Sequence, residues 1–482
     1  MPPERTLPPL VRVGRNVVVF VSAVLALAGT GAAVTVEPAI VLLPVGAIGV
    51  AVLCRSCKAR AIFVVCGGLA ILQSSQSITA PKVGYLVGVI TCFAIAIANL
   101  RVARDEATLV RGTWLVGVAI AISFVAATIH GTTVSNWARD AIGYVLFAMS
   151  PILALDFAKA GQRLLRRLFV IAGLVATVSF TAEWISKHGL GTLPFSQFAL
   201  SSYMLVAAAF AYACACTFVR ERPRAFWLGI AVFTFGALLL TGARSSLAIL
   251  AAPFIILFAP GMRSASRAVK TVAVAGVLAV LLTGAVVFVG SATGVNGGGA
   301  IKRVASLLSP SATAGTYSST VEREIVTTLA WNTYKTAPIF GVGVGYTWSY
   351  VLPYDTPTGS YESTLTPDTT VAVIAEFGAV GFGLLLCYLW ILLRYAWRPE
   401  PSAAGLGLLG TVAIFVVYSL TTNAFDDKGL GLALALLLSL VMAGNPRPGA
   451  RRGGDQVPTS TVGPIEAARS ERGRRRPGRA AL

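Results

Sequence analysis

Apolar runs long enough to cross a bilayer recur along this chain from about residue 16 to residue 443. An α-helix rising 1.5 Å per residue needs about 20 residues to cross ~30 Å of hydrocarbon. Inside that layer the backbone must satisfy its own hydrogen bonds, which restricts the spanning structures to helices and closed barrels. The chain therefore reads as an all-α, polytopic helical membrane protein. Its composition agrees: 56% of the 482 residues are hydrophobic and only 12% charged.

The expected spans are 16–35, 38–54, 61–78, 83–100, 113–130, 141–158, 168–186, 197–219, 225–241, 245–260, 271–290, 370–393, 404–421 and 429–443. The count is about 12–14, because 61–78 is polar at its end and 225–260 forms one tight hairpin. The first span runs straight into the second without a small-residue cleavage site, so it reads as a retained helix. An even number of crossings puts both termini on one side.

The basic residues choose that side. Of 39 Lys and Arg residues, 30 fall in the N-terminus, alternate loops and the tail, and 9 fall on the other side. By the positive-inside rule the richer side is cytoplasmic. The net charge of +19 is then topology and contact with anionic lipid, not a nucleic-acid surface. The expected organisation is a cytoplasmic N-terminus (1–15), a helix bundle (16–290), a large extracytoplasmic loop (291–369), C-terminal membrane helices (370–443) and a disordered basic cytoplasmic tail (444–482). That tail is rich in Pro, Gly and Arg and has no apolar periodicity. The seven cysteines lie in or beside apolar segments. Cys54 and Cys57 form a C-x-x-C without a second Cys or His pair, which favours packing cysteines over a metal or redox site. No metal or cofactor is expected.

Nearly 80 residues at 291–369 separate two membrane segments, where other outer loops are mostly shorter than about 15, and loops so long are usually functional or disordered. Within it, STVEREIVTTLAWNTYKTAP reads as a helix, with Ser319 and Glu322 as a capping box, Val321, Ile325 and Leu329 as an apolar stripe, and Pro338 as the stop. Arg323 lies about 200° from Val321 on the wheel, so it points either to solvent beside Glu322 and Glu324 or into a cavity. Arg244, in ALLLTGARSSLAILAAPFIILF, is a charge at the outer end of an apolar hairpin, where such residues face a partner or a water-filled cavity.

Three stretches together resemble the bacterial O-antigen ligase/polymerase family. TGARSSLAIL is similar to its membrane motif. EREIVTTLAWNTYKTAPIFGVGVGYTW is similar to its periplasmic helix and the glycine turn that follows. PDTTVAVIAEFGAVGFGLLL is similar to its segment that re-enters the membrane, with E-x-G-x-x-G at Glu376, Gly378 and Gly381. The resemblance covers roughly residues 225–395. It implies transfer of a glycan from a polyprenyl-diphosphate carrier to an acceptor hydroxyl (on a glycan, lipid or protein) outside the cytoplasmic membrane. It also implies that Arg244 and Arg323 are the two functional arginines, whose guanidinium forks suit a diphosphate leaving group. Tyr334 and Glu376 are candidate substrate contacts.

One departure stands out. Family ligases carry a His-Asn pair before the final re-entrant helix, and here those positions hold Pro367 and Asp368. The two histidines, His130 and His188, lie in other outer turns. Asp368 is then either a base or orienting group for the acceptor, or the N-cap of a helix beginning at Thr369. Glu376 reads equally as a functional acid within an apolar segment and as part of a structural E-x-G. The turn at Gly341, Gly343 and Gly345 reads as a close-packed turn that positions the loop. Glu183 and His188 near Trp184 read as interfacial anchors or as an acceptor groove, and Asp426 and Asp427 as an acidic outer turn. The competing class is a polytopic transporter or lipid-linked oligosaccharide flippase, which usually shows internal repeats and midplane charges. No repeat is visible, and the expected functional charges gather at one face.

Overall fold

The computed structural model describes residues 49–72, 79–100, 106–187, 199–240, 248–258, 317–350, 361–363, 369–397, 402–420, 422–425 and 427–444. The expected spans 16–35 and 271–290, most of 38–54, and the tail beyond Gly444 lie outside these residues. So do Arg244, Asp368, His188 and Asp426.

After a helical stretch at 49–55, the helices among the described residues are α1 (Cys57–Ile71), α2 (Ala80–Ala98), α3 (Ala107–Ile129), α4 (Val134–Phe157), α5 (Gln162–Lys187), α6 (Tyr203–Val219), α7 (Arg224–Leu240), α8 (Ala251–Phe258), α9 (Tyr317–Thr336), α10 (Thr370–Ala396), α11 (Ala403–Ser419) and α12 (Lys428–Gly444). Among the described residues, five helical stretches are long and apolar enough to cross a membrane: Ala80–Ala98, Ala107–Ile129, Val134–Ala160, Gln162–Glu183 and Thr370–Ala396. Four shorter apolar helices accompany them, Tyr203–Val219, Arg224–Leu238, Ala403–Ser419 and Lys428–Gly444. The chain is a polytopic helical membrane protein, with α1 ending at Ile71, earlier than the hydropathy suggests. Between α9 and α10 a short antiparallel hairpin pairs Trp348–Tyr350 (β1) with Tyr361–Ser363 (β2).

Hydroxyl caps set several helix starts. Ser56, Thr133, Ser202, Thr369 and Ser402 each accept a hydrogen bond from a backbone N–H in the first turn, the role in which such side chains are favoured. Burial then sorts the helices. In α4 from Asp140 onward, and in α6 and α12, most residues are buried. By contrast α3 and α10 keep Trp114, Val118, Val125, Leu386 and Trp390 exposed, an apolar face that only lipid would solvate well. At the close contact between α4 and α12, a Cβ on Gly431 would meet the backbone of Leu146; small residues permit this approach of helices in membranes.

The two ends of the bundle differ in chemistry. At one end Arg60 of α1 donates to both carboxylate oxygens of Asp156 in α4 (2.6 and 2.9 Å) and to the Leu53 carbonyl (2.5 Å), while Lys159 reaches the same carboxylate at 3.3 Å. Nearby, Arg166 pairs with Glu221 and lies 4.6 Å from the centre of the Trp227 ring. These are residues that the span list puts on the arginine-rich side. At the opposite, loop end the starts of α4, α6, α10 and α12 meet the ends of α3 and α11. Each set of contacts joins residues that the alternating spans assign to one side.

Candidate functional site

The loop end is organised around a break in α10. Gly378 adopts φ 62°, ψ −178° inside the helix, a conformation open essentially to glycine alone. The break frees the carbonyls of Ala375 and Glu376 and the N–H groups of Ala379 and Val380, which in an unbroken helix would bond to one another. The segment after α9 supplies all four partners. Val342 N–H donates to Ala375 (3.0 Å) and Gly343 N–H to Glu376 (2.9 Å). Ala379 N–H in turn donates to Pro338 (2.8 Å), and Val380 N–H to Ile339 (3.1 Å). At membrane depth an unsatisfied backbone group costs several kcal/mol, so the turn and the break are complementary halves of one seam.

The glycines of the turn are there for close approach. Gly341, Gly343 and Gly345 all have positive φ, and a Cβ on Gly343 would overlap the Ala127 backbone near the end of α3. One on Gly345 would meet Asn136 and Trp137 at the start of α4. Buried Ser123 accepts the Val344 N–H at 2.9 Å. The G-x-G-x-G turn and the E-x-G-x-x-G segment, separate motifs in the sequence, are thus bound to each other and to α3 and α4. Glu376 is fully enclosed within this seam.

Helix α9 runs parallel to the start of α10. Pro338 and Ile339 meet Ala379 and Val380, and higher up Ala330 packs with Trp348, Ala372 and Ala375. Tyr334 is half-buried against this cluster and stacks on Trp331 with ring centres 5.3 Å apart. The buried line is Val326 and Ala330, shifted from the stripe expected through Val321, Ile325 and Leu329. The capping box is corrected as well, because α9 begins at Tyr317 and Ser319 lies within the helix.

Two other expectations change. Thr369 caps α10, accepting the Ala372 N–H at 3.2 Å, so Asp368 is not the N-cap. Asp427 is not a solvated turn residue: its carboxylate accepts from Ser202 Oγ (2.5 Å), Met204 N–H (2.9 Å) and Gly429 N–H (2.8 Å). It caps α6 and precedes α12. Burial pushes this carboxyl above the usual carboxylate range, and the hydrogen bonds from Met204, Ser202 and Gly429 oppose that rise.

Two residues at this end gained weight only from the structure. His130, at the end of α3, lies edge-on to Tyr346 (6.5 Å between ring centres) and lines a cavity with Ala337–Gly341. It is therefore next to the loop and not remote from it. Lys82, at the start of α2, is only 3% exposed and within electrostatic reach of Lys428 at the start of α12. A count of basic residues by loop hides such a buried cation; its placement one turn inside an apolar helix was the available signal.

Residues 228–386 match the family model described as O-antigen ligase. The matched stretch contains all three motifs and bears out the resemblance they carry. It begins in α7, crosses the large loop and ends in α10 beyond the break. The chain is thus a multi-pass membrane protein with an O-antigen ligase-like region. No curated protein matches the sequence significantly.

Proposed function

We propose that this protein is a glycosyltransferase that moves a glycan from a polyprenyl-diphosphate carrier to an acceptor hydroxyl at the outer face of the cytoplasmic membrane. Both termini are then cytoplasmic, and the loop end of the bundle faces outwards. The observation that carries the reading is the seam at Gly378, because it ties the loop helix bearing Arg323 to the membrane helices inside the matched region.

The chemistry follows from the charges. The bond from the anomeric carbon to the carrier phosphate oxygen breaks, and the diphosphate leaves with the electron pair. The acceptor oxygen forms the new bond to carbon and gives up its proton. Arg244 and Arg323 bind the diphosphate and stabilise its growing negative charge, for which a guanidinium fork in a water-poor site is well suited. Lys82 adds positive charge at the same end. Asp368 takes the acceptor proton in place of the family histidine, since position 367 is proline and position 369 already supplies the cap. Glu376 and Tyr334 hold the framework on which the arginine helix rests.

The test is transfer by purified protein in liposomes, supplied with polyprenyl-diphosphate glycan. Arg244→Ala and Arg323→Ala should each lower transfer by about a hundredfold or more, the usual cost of a donor to transition-state charge, while insertion and thermal stability stay unchanged. Chain growth would identify a polymerase and single transfer to a second acceptor a ligase. Movement of carrier across the bilayer with no new glycosidic bond would replace this reading with a flippase.

A further inference from the structure

The arginine-rich end carries exposed cations beside its buried ion pairs. Two stretches distant in sequence supply them: QRLLRR at the start of α5 (162–167), and RERPR in the turn from α6 into α7 (220–224). Arg166 joins the two. It pairs with Glu221 and lies over the ring of Trp227, which is buried one turn into α7. That contact consumes the one acid in either stretch. Arg163, Arg167, Arg220, Arg222 and Arg224 stay exposed and form no ion pair among the described residues. Arg163 stands one turn nearer the end of the bundle on the same side of α5 as Arg166. Arg220 and Arg222 flank the Glu221 that Arg166 holds. Guanidinium groups from two loops are thus gathered around a single clasp, where like charges repel one another.

The surface just inside the patch decides which class of anion fits it. Phe226, two residues past Arg224, is 48% exposed, and Ile171 and Val178 on α5 are each more than half exposed. On helices this apolar, such faces belong in hydrocarbon. Cationic charge therefore sits at headgroup height with an acyl-chain surface directly beneath it. A soluble anion would use only the first of these, and a zwitterionic lipid chiefly the second. The helix starts add to the demand for negative charge, since neither α5 nor α7 has an acid in its first turn, where the helix dipole favours one. The positive-inside rule accounts for the side on which these arginines lie. It does not account for a clasp that gathers two loops into one patch.

We propose that this patch is a binding site for an anionic phospholipid, whose phosphate is shared between the start of α5 and the turn before α7. Its acyl chains lie along the exposed apolar surface below. The lipid then bridges the two helices beside the Arg166–Glu221 pair, at the helix in which the matched region begins. The assignment is independent of the transferase reading. The experiment uses the full chain in phosphatidylcholine nanodiscs holding a small fraction of phosphatidylglycerol with a diazirine close to its phosphate. Cross-linked positions are mapped by mass spectrometry. Labelling should concentrate on 163–167 and 220–226, and phosphatidylcholine bearing the same diazirine should show no such concentration. The triple variant Arg163→Gln, Arg220→Gln, Arg222→Gln should lower labelling by about a hundredfold, roughly fivefold for each charge near the lipid surface. The corresponding triple with lysine should keep most of it, which separates loss of charge from loss of fold. Arg394→Gln removes an exposed arginine at the same end, in the last turn of α10, and should change little. Phosphatidylglycerol added in neutral detergent should raise the unfolding temperature of the wild type and leave that of the glutamine triple unmoved.

Equal labelling of the patch by the two probes would overturn the proposal, since the surface would then hold annular lipid without regard to charge. So would labelling spread evenly over all the helix ends on this side, Arg394 included. Displacement of the probe by millimolar inorganic phosphate would replace the lipid with a soluble anion. Loss of labelling in the lysine triple as complete as in the glutamine triple would show that these side chains hold the fold and not a ligand.

Discussion

The two ends of the bundle use charge in opposite ways. At the arginine-rich end, cations are neutralised within the fold: Arg60 by Asp156, and Arg166 by Glu221 with Trp227 beneath it. At the loop end, the carboxylate of Asp427 takes its hydrogen bonds from a hydroxyl and backbone N–H groups, and the loop is held by backbone bonds across the α10 break. Acids and arginines at the first end serve helix–helix attachment. At the second end attachment is done by main chain, glycine, hydroxyls and the Asp427 carboxylate, and in the function proposed above the arginines of the matched region serve an anionic substrate.

The sharpest way to break this contrast is to remove one partner at the arginine-rich end. Asp156→Ala leaves the Arg60 guanidinium buried without its carboxylate, and such a loss costs about 3–5 kcal/mol. Thermal unfolding in detergent should show a large drop. The double variant Arg60→Met with Asp156→Leu should recover most of it, because a well-packed apolar pair replaces an ion pair at little net cost. Transfer per folded molecule should stay near the wild-type value. An unchanged unfolding temperature for Asp156→Ala would mean the pair does not hold α1 to α4.

The corresponding cut at the loop end is Gly378→Ala. Forcing a Cβ into that backbone conformation costs about 1–3 kcal/mol in strain, and the new atom would also meet the Ile339 carbonyl and the Gly341 N–H. The expected result is local. Limited proteolysis should open the 337–347 segment and transfer should fail, while the attachment of α1 to α4 and the bulk unfolding transition change little. Equal protection of that segment in variant and wild type would show that the seam does not anchor the loop.

Most of the helical architecture among the described residues was legible in hydropathy, because hydrocarbon imposes helix length. The expected starts of α7, α10, α11 and α12 fall within a residue of the observed ones. What periodicity did not reveal was pairing between distant segments. Nothing local in V-G-V-G-Y says that its N–H groups complete a break 35 residues later, and nothing local in Arg60 names Asp156. The wheel placed the α9 stripe one residue early because Val321, Ile325 and Leu329 are the bulkier side chains, whereas α10 approaches closely enough to select Ala330. His130 was set aside on sequence distance alone, although the short turn 131–133 keeps it beside the loop. The family histidine position was readable as proline, but only the Thr369 cap separates Asp368 from a structural role.

That last separation gives the smallest effect and the finest test. Thr369→Ala removes the hydroxyl that accepts the Ala372 N–H, and loss of an N-cap typically costs about 1 kcal/mol. The start of α10 should fray slightly in hydrogen exchange, with transfer close to normal. Asp368→Asn should do the reverse, keeping stability while transfer falls, because the amide retains size and polarity but cannot accept a proton at neutral pH. If both variants lose only stability, position 368 belongs to the framework, and proton acceptance must be sought elsewhere at the loop end, with His130→Gln the next variant to measure. If Asp368→Asn alone abolishes transfer, neighbouring residues divide the work: one fixes the helix and the other serves the acceptor, which is the contrast between the two ends of the bundle repeated over a single peptide bond.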